Sequence, residues 1–207
     1  TMYDPNILNL PVGNLLLKPE HHYAQWTWSG IPKEDIEKSI STLQDDKTYK
    51  SYISFKDYLS FSDYKLFEKE HHINLSWAAC RTSEAGSYQD YAIGFQTQPE
   101  GMLFHNPYPD QYPFLKLESG DLTIAELDAL TNDENTMKNH MVSMLSYLSD
   151  QKTFCNMVDI ERVTIEYSTA YIEENGLSIY GFAGWLSKED LEKLQHSDMI
   201  RSVYFES

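Results

Sequence analysis

Apolar and polar residues alternate with a period of two at residues 23–28, 49–55, 73–80, 177–182 and 200–205, and more briefly at 91–95. Successive side chains of an extended chain point to opposite faces, so these stretches predict strands. Between them the apolar spacing changes to three and four. Ile36, Ile40 and Leu43 follow Pro32, a residue suited to the first turn of a helix, and Tyr64 and Phe67 follow the cap-type run Ser60-Phe61-Ser62-Asp63. Ile124, Leu127 and Leu130 follow Thr123, while Met137, Met141, Met144, Leu145 and Leu148 fall on one face of a longer helix. Residues 167–175 read as a helix that stops at Gly176, and Ser187-Lys188-Glu189-Asp190 caps another that carries Leu191 and Leu194.

In order, these elements make two strand–helix–strand units, one over residues 49–80 and one over 177–205. The expected fold is α+β: a mixed sheet built from the two units, with helices packed on it. The spacing of the first unit fits a crossover between parallel neighbours, right-handed if they are so joined. Residues 1–47, with Pro5, Pro11, Gly13 and Pro19 near their start, are expected to form an N-terminal arm, a strand and a short helix. Residues 48–207 form the main domain, and the arm belongs to the same compact unit. Residues 81–121 hold four glycines and four prolines and read as long loops, the usual place for binding residues.

Charge narrows the function classes. The 207 residues include 16 basic and 32 acidic ones, a formal charge of −16, which repels phosphate and speaks against nucleic acid or anionic lipid as a partner while leaving cationic partners open. Aromatic residues make up 14% of the chain, enough for an aromatic core or an aromatic binding surface, the core being the commoner use. The Met stripe likewise reads as core before it reads as an adaptable surface. The two cysteines, Cys80 and Cys155, could form one bridge or stand as buried thiols, and they make no redox or zinc motif. No apolar stretch approaches the ~20 residues of a membrane helix.

Chemical motifs are absent: no nucleophile elbow, phosphate loop or dinucleotide fingerprint occurs. His21-His22 and His71-His72 are adjacent pairs whose side chains diverge, so neither chelates a metal well, and no metal or cofactor is expected. With so many carboxylates, near pairs arise by chance and none stands out as an acid–base couple. A catalytic role is not expected.

The second half of the chain carries a resemblance. Tyr171-Ile172-Glu173-Glu174-Asn175-Gly176-Leu177-Ser178-Ile179-Tyr180-Gly181, then residues 188–194 and the strand at 200–205, resemble the end of the sigma factor regulator C-terminal domain. Upstream, Ser51-Tyr52-Ile53-Ser54-Phe55, the helix after Tyr58-Leu59-Ser60, Leu75-Ser76-Trp77-Ala78-Ala79, Ile93-Gly94-Phe95 and the helix from Met137 to Leu148 follow in the same order. The resemblance covers about residues 48–205. It implies a noncatalytic extracytoplasmic sensing domain of a membrane-anchored anti-sigma factor of Gram-positive bacteria, controlling an extracytoplasmic-function sigma factor. It also implies that a sigma-binding segment and a transmembrane helix precede this chain, which would make Thr1 a cut point in a longer protein and place the domain on the outer face of the cell membrane. A cationic peptide or protein suits the charge as a signal. The alternative from another class is an acidic immunity-type inhibitor that neutralises a basic toxin. Candidate contact residues are the turn and loop residues Trp185, Tyr108, Phe104 and His105, with Trp77 assigned to the core.

Overall fold

A long strand, β1 (Thr48–Ser60), lies between two strands from the far end of the chain, β4 (Ser178–Ser187) on one side and β5 (Ile200–Phe205) on the other. Two short strands, β2 (Trp77–Cys80) and β3 (Ile93–Phe95), complete the sheet, whose order is β3-β2-β4-β1-β5. The computed structural model describes residues 16–20, 33–71, 73, 77–84, 92–97, 108–115 and 123–206. The predicted strand at 23–28 lies outside the described residues.

Both strand–helix–strand units form, and they interlock. The first is β1, helix α2 (Phe61–Glu70) and β2; the second is β4, helix α7 (Lys188–Gln195) and β5. β4 sits between β1 and β2, and β1 sits between β4 and β5. This is the doubled split βαβ arrangement of ferredoxin-like folds, with β3 added beside β2. The α+β class is as expected, with one correction to the sheet: every neighbouring pair is antiparallel, not mixed, because the parallel strands of each unit are second neighbours.

Local sequence explains the element ends. The Ser60 side chain accepts a hydrogen bond from the Asp63 amide at the start of α2. Thr123 with Glu126, and Ser187 with Asp190, form reciprocal capping boxes on helices α3 (Ile124–Thr131) and α7. Gly176, at φ 77°, ends α6 (Arg162–Asn175) in a backbone conformation that favours glycine. Helix α5 (Lys152–Met157), not anticipated from the pattern, follows directly on α4 (Glu134–Asp150), and its Cys155 thiol donates to the Leu148 carbonyl.

One face of the sheet carries the main core. Ile53 and Phe55 of β1 and Phe182 and Leu186 of β4 pack there with Phe67 of α2 and Leu191 of α7. The Phe55 ring lies 5.1 Å from Phe67 and 5.8 Å from Phe182. Met137, Met141 and Leu145 of α4 join the same core with Ile165 and Ile172 of α6, so the Met stripe is a packing face. Helix α1 (Lys33–Ser41) contributes Ile40 and lies against α7. Cys80 and Cys155 are both buried free thiols, and burial pushes the Cys80 thiol far up.

Candidate functional site

The opposite face of the sheet is built from tyrosines. Tyr52 of β1 and Tyr180 of β4 are buried there with Ala79 and Leu16; Tyr58, Trp77, Ala183 and Tyr204 pack around them. Tyrosine gives such a face an apolar body and a hydrogen-bonding tip. The Tyr52 and Tyr204 rings lie 5.9 Å apart, and the Tyr52 hydroxyl donates to Glu206 at 3.0 Å. At the other end, Trp77 lies across Gly94, where a Cβ would stand 2.4 Å from the indole.

Two bulges turn side chains onto this face. Against β2, one step from Ala79 to Cys80 is matched by two residues on β4, from Gly181 to Ile179, and the extra residue is Tyr180. Against β1, one step from Ser54 to Phe55 is matched by two residues on β5, from Ser202 to Ile200, and the extra residue is Arg201. A bulge interrupts the alternation and re-aims a side chain. Here it brings Tyr180 among the tyrosines and lets Arg201 reach a segment lying over the face.

That segment is Leu16–Glu20. Leu16 is 2% exposed and fits over Gly181, where a Cβ would stand 3.1 Å from its Cδ2 and 2.5 Å from the Ile53 carbonyl. The Leu17 amide donates to Ser54 Oγ at 2.9 Å. Arg201 donates to the carbonyls of Lys18 and Pro19 at 2.6 and 3.1 Å, and the single Tyr58 hydroxyl proton is shared between the two oxygens of Glu20, which lie at 2.8 and 2.7 Å. The buried leucine contributes about 1.5–3 kcal/mol. A neutral hydrogen bond contributes about 1 kcal/mol and one to a charged group about 1.5–3 kcal/mol. These gains are of the same size as the ~1–2 kcal/mol per residue that ordering a backbone costs, so the seat is closely balanced.

Charge gathers at the Glu20 end. The Arg81 guanidinium lies 4.7 Å over the Tyr58 ring and 5.7 Å over Tyr171 of α6, and forms a pair with Glu84 at 3.5 Å. Burial first, then the bond to Glu20, raises the Tyr58 phenol well above its usual range, so it remains a donor. Lys18 is buried, and that burial lowers its pKa against the pull of Glu20, with Arg81 adding to the lowering. This arrangement holds residues 16–20 on the sheet face. Two serine–aspartate pairs at 2.6 Å, Ser60 with Asp63 and Ser187 with Asp190, are helix caps. Among the described residues no group of three metal-ligating side chains could hold an ion.

Of the sequence-predicted contact residues, Trp185 and Tyr108 lie among the described residues. Trp185 is 62% exposed; by alternation it shares the face of Ala183, beyond the tyrosines and opposite Lys50. Tyr108 is exposed but its ring meets Tyr112 edge-on and lies tilted against Tyr147, in a segment that docks along α4. Phe104 and His105 lie outside the described residues. Sequence reasoning missed Leu16, Ser54, Tyr58, Tyr180 and Arg201; the available signal was the recurrence of tyrosine at strand positions where a simple core would use aliphatics. A separate groove of about 370 Å³ runs between α1 and β5, with Ile36, Leu43 and Val203 in its lining.

The family model described as sigma factor regulator C-terminal matches residues 40–207, and the chain belongs to that family. Membership carries a regulatory role toward a sigma factor. No curated protein and no solved structure matches the chain. No helix among the described residues is long and apolar enough to cross a membrane.

Proposed function

We propose that this chain is the extracytoplasmic sensing domain of a membrane-anchored anti-sigma factor, that it controls an extracytoplasmic-function sigma factor without catalysis, and that its tyrosine-lined face receives the signal. The observation that carries the reading is the pair of bulges that turn Tyr180 and Arg201 onto a face already occupied by residues N-terminal to the main domain. A signal shifts a two-state protein only by binding its states unequally, and a closely balanced segment on the binding face supplies two such states. Family membership favours this reading over an acidic inhibitor of a basic toxin. The charge of −16 suits a cationic peptide or protein as the signal, and Trp185, exposed beside the face, extends the surface such a ligand would meet.

The test uses the full protein in a Gram-positive host. Alkaline phosphatase fused after Ser207 is expected to be active, and deletion of the gene is expected to raise transcription from promoters of the partner sigma factor. An inactive phosphatase fusion together with an active β-galactosidase fusion at the same position would place the domain inside the cell and overturn the reading.

A further inference from the structure

We propose that the tyrosine face is a peptide-binding site, filled in cis by Leu16–Glu20, for an extended segment with an aliphatic side chain followed four residues later by a carboxylate. The proposal rests on the reading of this face as the place where the signal is received, and names the chemistry of what it takes. Three contacts define the recognition of the chain itself. Gly181 leaves a slot that a side chain at that position would close, and Leu16 fills it. Ser54 Oγ accepts the amide that follows, and Arg201 grips two successive carbonyls. These last two contacts touch only backbone, so they specify an extended chain rather than one sequence. Selection comes from the slot at one end and from the Tyr58 hydroxyl, which donates to the Glu20 carboxylate, at the other.

Regular ladder pairing breaks around this grip at Tyr180, at Arg201 and, on β1, between Ser54 and Leu59. A segment meant only to cover apolar surface would not need a guanidinium on its carbonyls. The strap also carries a cost to its own seating, because Lys18 is buried at 5% exposure with its pKa lowered. A second peptide that lacks this lysine is spared that cost, and any peptide in trans competes against the strap's tether, which gives the strap an effective concentration of about millimolar. Binding in trans and seating of the strap are mutually exclusive, so the ligand's arrival releases the chain N-terminal to the sheet.

The experiment uses the whole chain and a fluorescein-labelled peptide carrying residues 14–22, read by anisotropy. Leu16→Asp unseats the strap, and this variant is expected to bind the peptide at least tenfold more tightly than the wild-type chain. Adding Arg201→Ala to it should weaken binding at least tenfold, as should placing aspartate at Leu16 of the peptide. Equal affinity of the Leu16→Asp and wild-type chains, or of the single and double variants, would overturn the proposal. Should Leu16→Asp not melt cooperatively, hydrogen exchange on the wild-type chain decides: several-millimolar peptide is expected to speed exchange of the Leu17 amide, and unchanged exchange there counts against the site. A functional sensor whose strap never moves would fail this test and still pass the phosphatase test, so the two readings fail separately.

Discussion

His140 shows how much one side chain can tie together. Its Nδ1 lies 2.7 Å from the Phe114 carbonyl, the Phe114 amide donates to Ser143 at 3.3 Å, and the Tyr112 hydroxyl donates to Asp150 at 2.6 Å, so residues 112–114 are fastened along α4. Burial pushes the His140 imidazole below its ordinary value of 6.5, and the bond to Phe114 opposes that more weakly. The unfolded chain then takes up this proton near pH 6.5 and the native one only at lower pH. Below pH 6.5 the unfolded state binds more protons, so stability falls on acidification until the native pKa is passed. Urea unfolding at pH 7.5 and 5.5 is expected to show this loss, and His140→Gln is expected to reduce the difference between the two pH values. At this scale the sequence was readable where one residue sets its own surroundings. The caps at Ser60 and Ser187 were visible because a cap needs only a hydroxyl and its neighbours three positions on. Tyr180 and Arg201 were not, since their direction depends on which partner strand skips a residue.

At the scale of elements, period and spacing located helices and strands well, and missed how strands pair. Alternation says that Tyr52 and Ile53 face opposite ways; it is silent on whether β1 lies beside β2 or beside β4. Parallel neighbours were the natural expectation for a strand–helix–strand unit, and a strand of the other unit takes the intervening place in each case. The tyrosine face was hidden for the same reason: Tyr52, Tyr58, Tyr180 and Tyr204 meet only once the pairing order is known. The second unit depends on a single turn from β4 into α7, where Ser187 and Asp190 each bond the other's backbone. Ser187→Ala removes one half of that box and is expected to cost about 0.5–2 kcal/mol. The check is a lower urea midpoint with an unchanged slope, which marks lost stability without a changed unfolded state.

For the whole molecule, the formal charge of −16 opposes compaction. The ion pairs that offset it are mostly on the surface: Lys193 with Glu189 at 2.7 Å and Lys188 with Asp45 at 2.8 Å each join a partner that is largely exposed. Such pairs add little and are themselves screened. Self-repulsion is therefore the larger salt-sensitive effect, and the melting temperature is expected to rise between 20 mM and about 500 mM NaCl as the Debye length shrinks to a few ångströms. Sodium chloride is the proper test, because sulfate strengthens apolar burial by itself. A flat or falling melting temperature would mean that the described ion pairs outweigh the net charge.

The interlocking of β1 with β4 and β5 governs the order in which this protein can come into being. β1 is synthesised early, yet both of its neighbours in the sheet begin only at Ser178 and Ile200. During synthesis β1 therefore lacks both sheet neighbours until Ser178 is reached, and its second edge stays open until Ile200. Pairings this distant in sequence are slow to find, and they leave the nascent chain open in the meantime. The last strand therefore closes the sheet: a chain cut before Ile200 keeps one edge of β1 open to foreign strands.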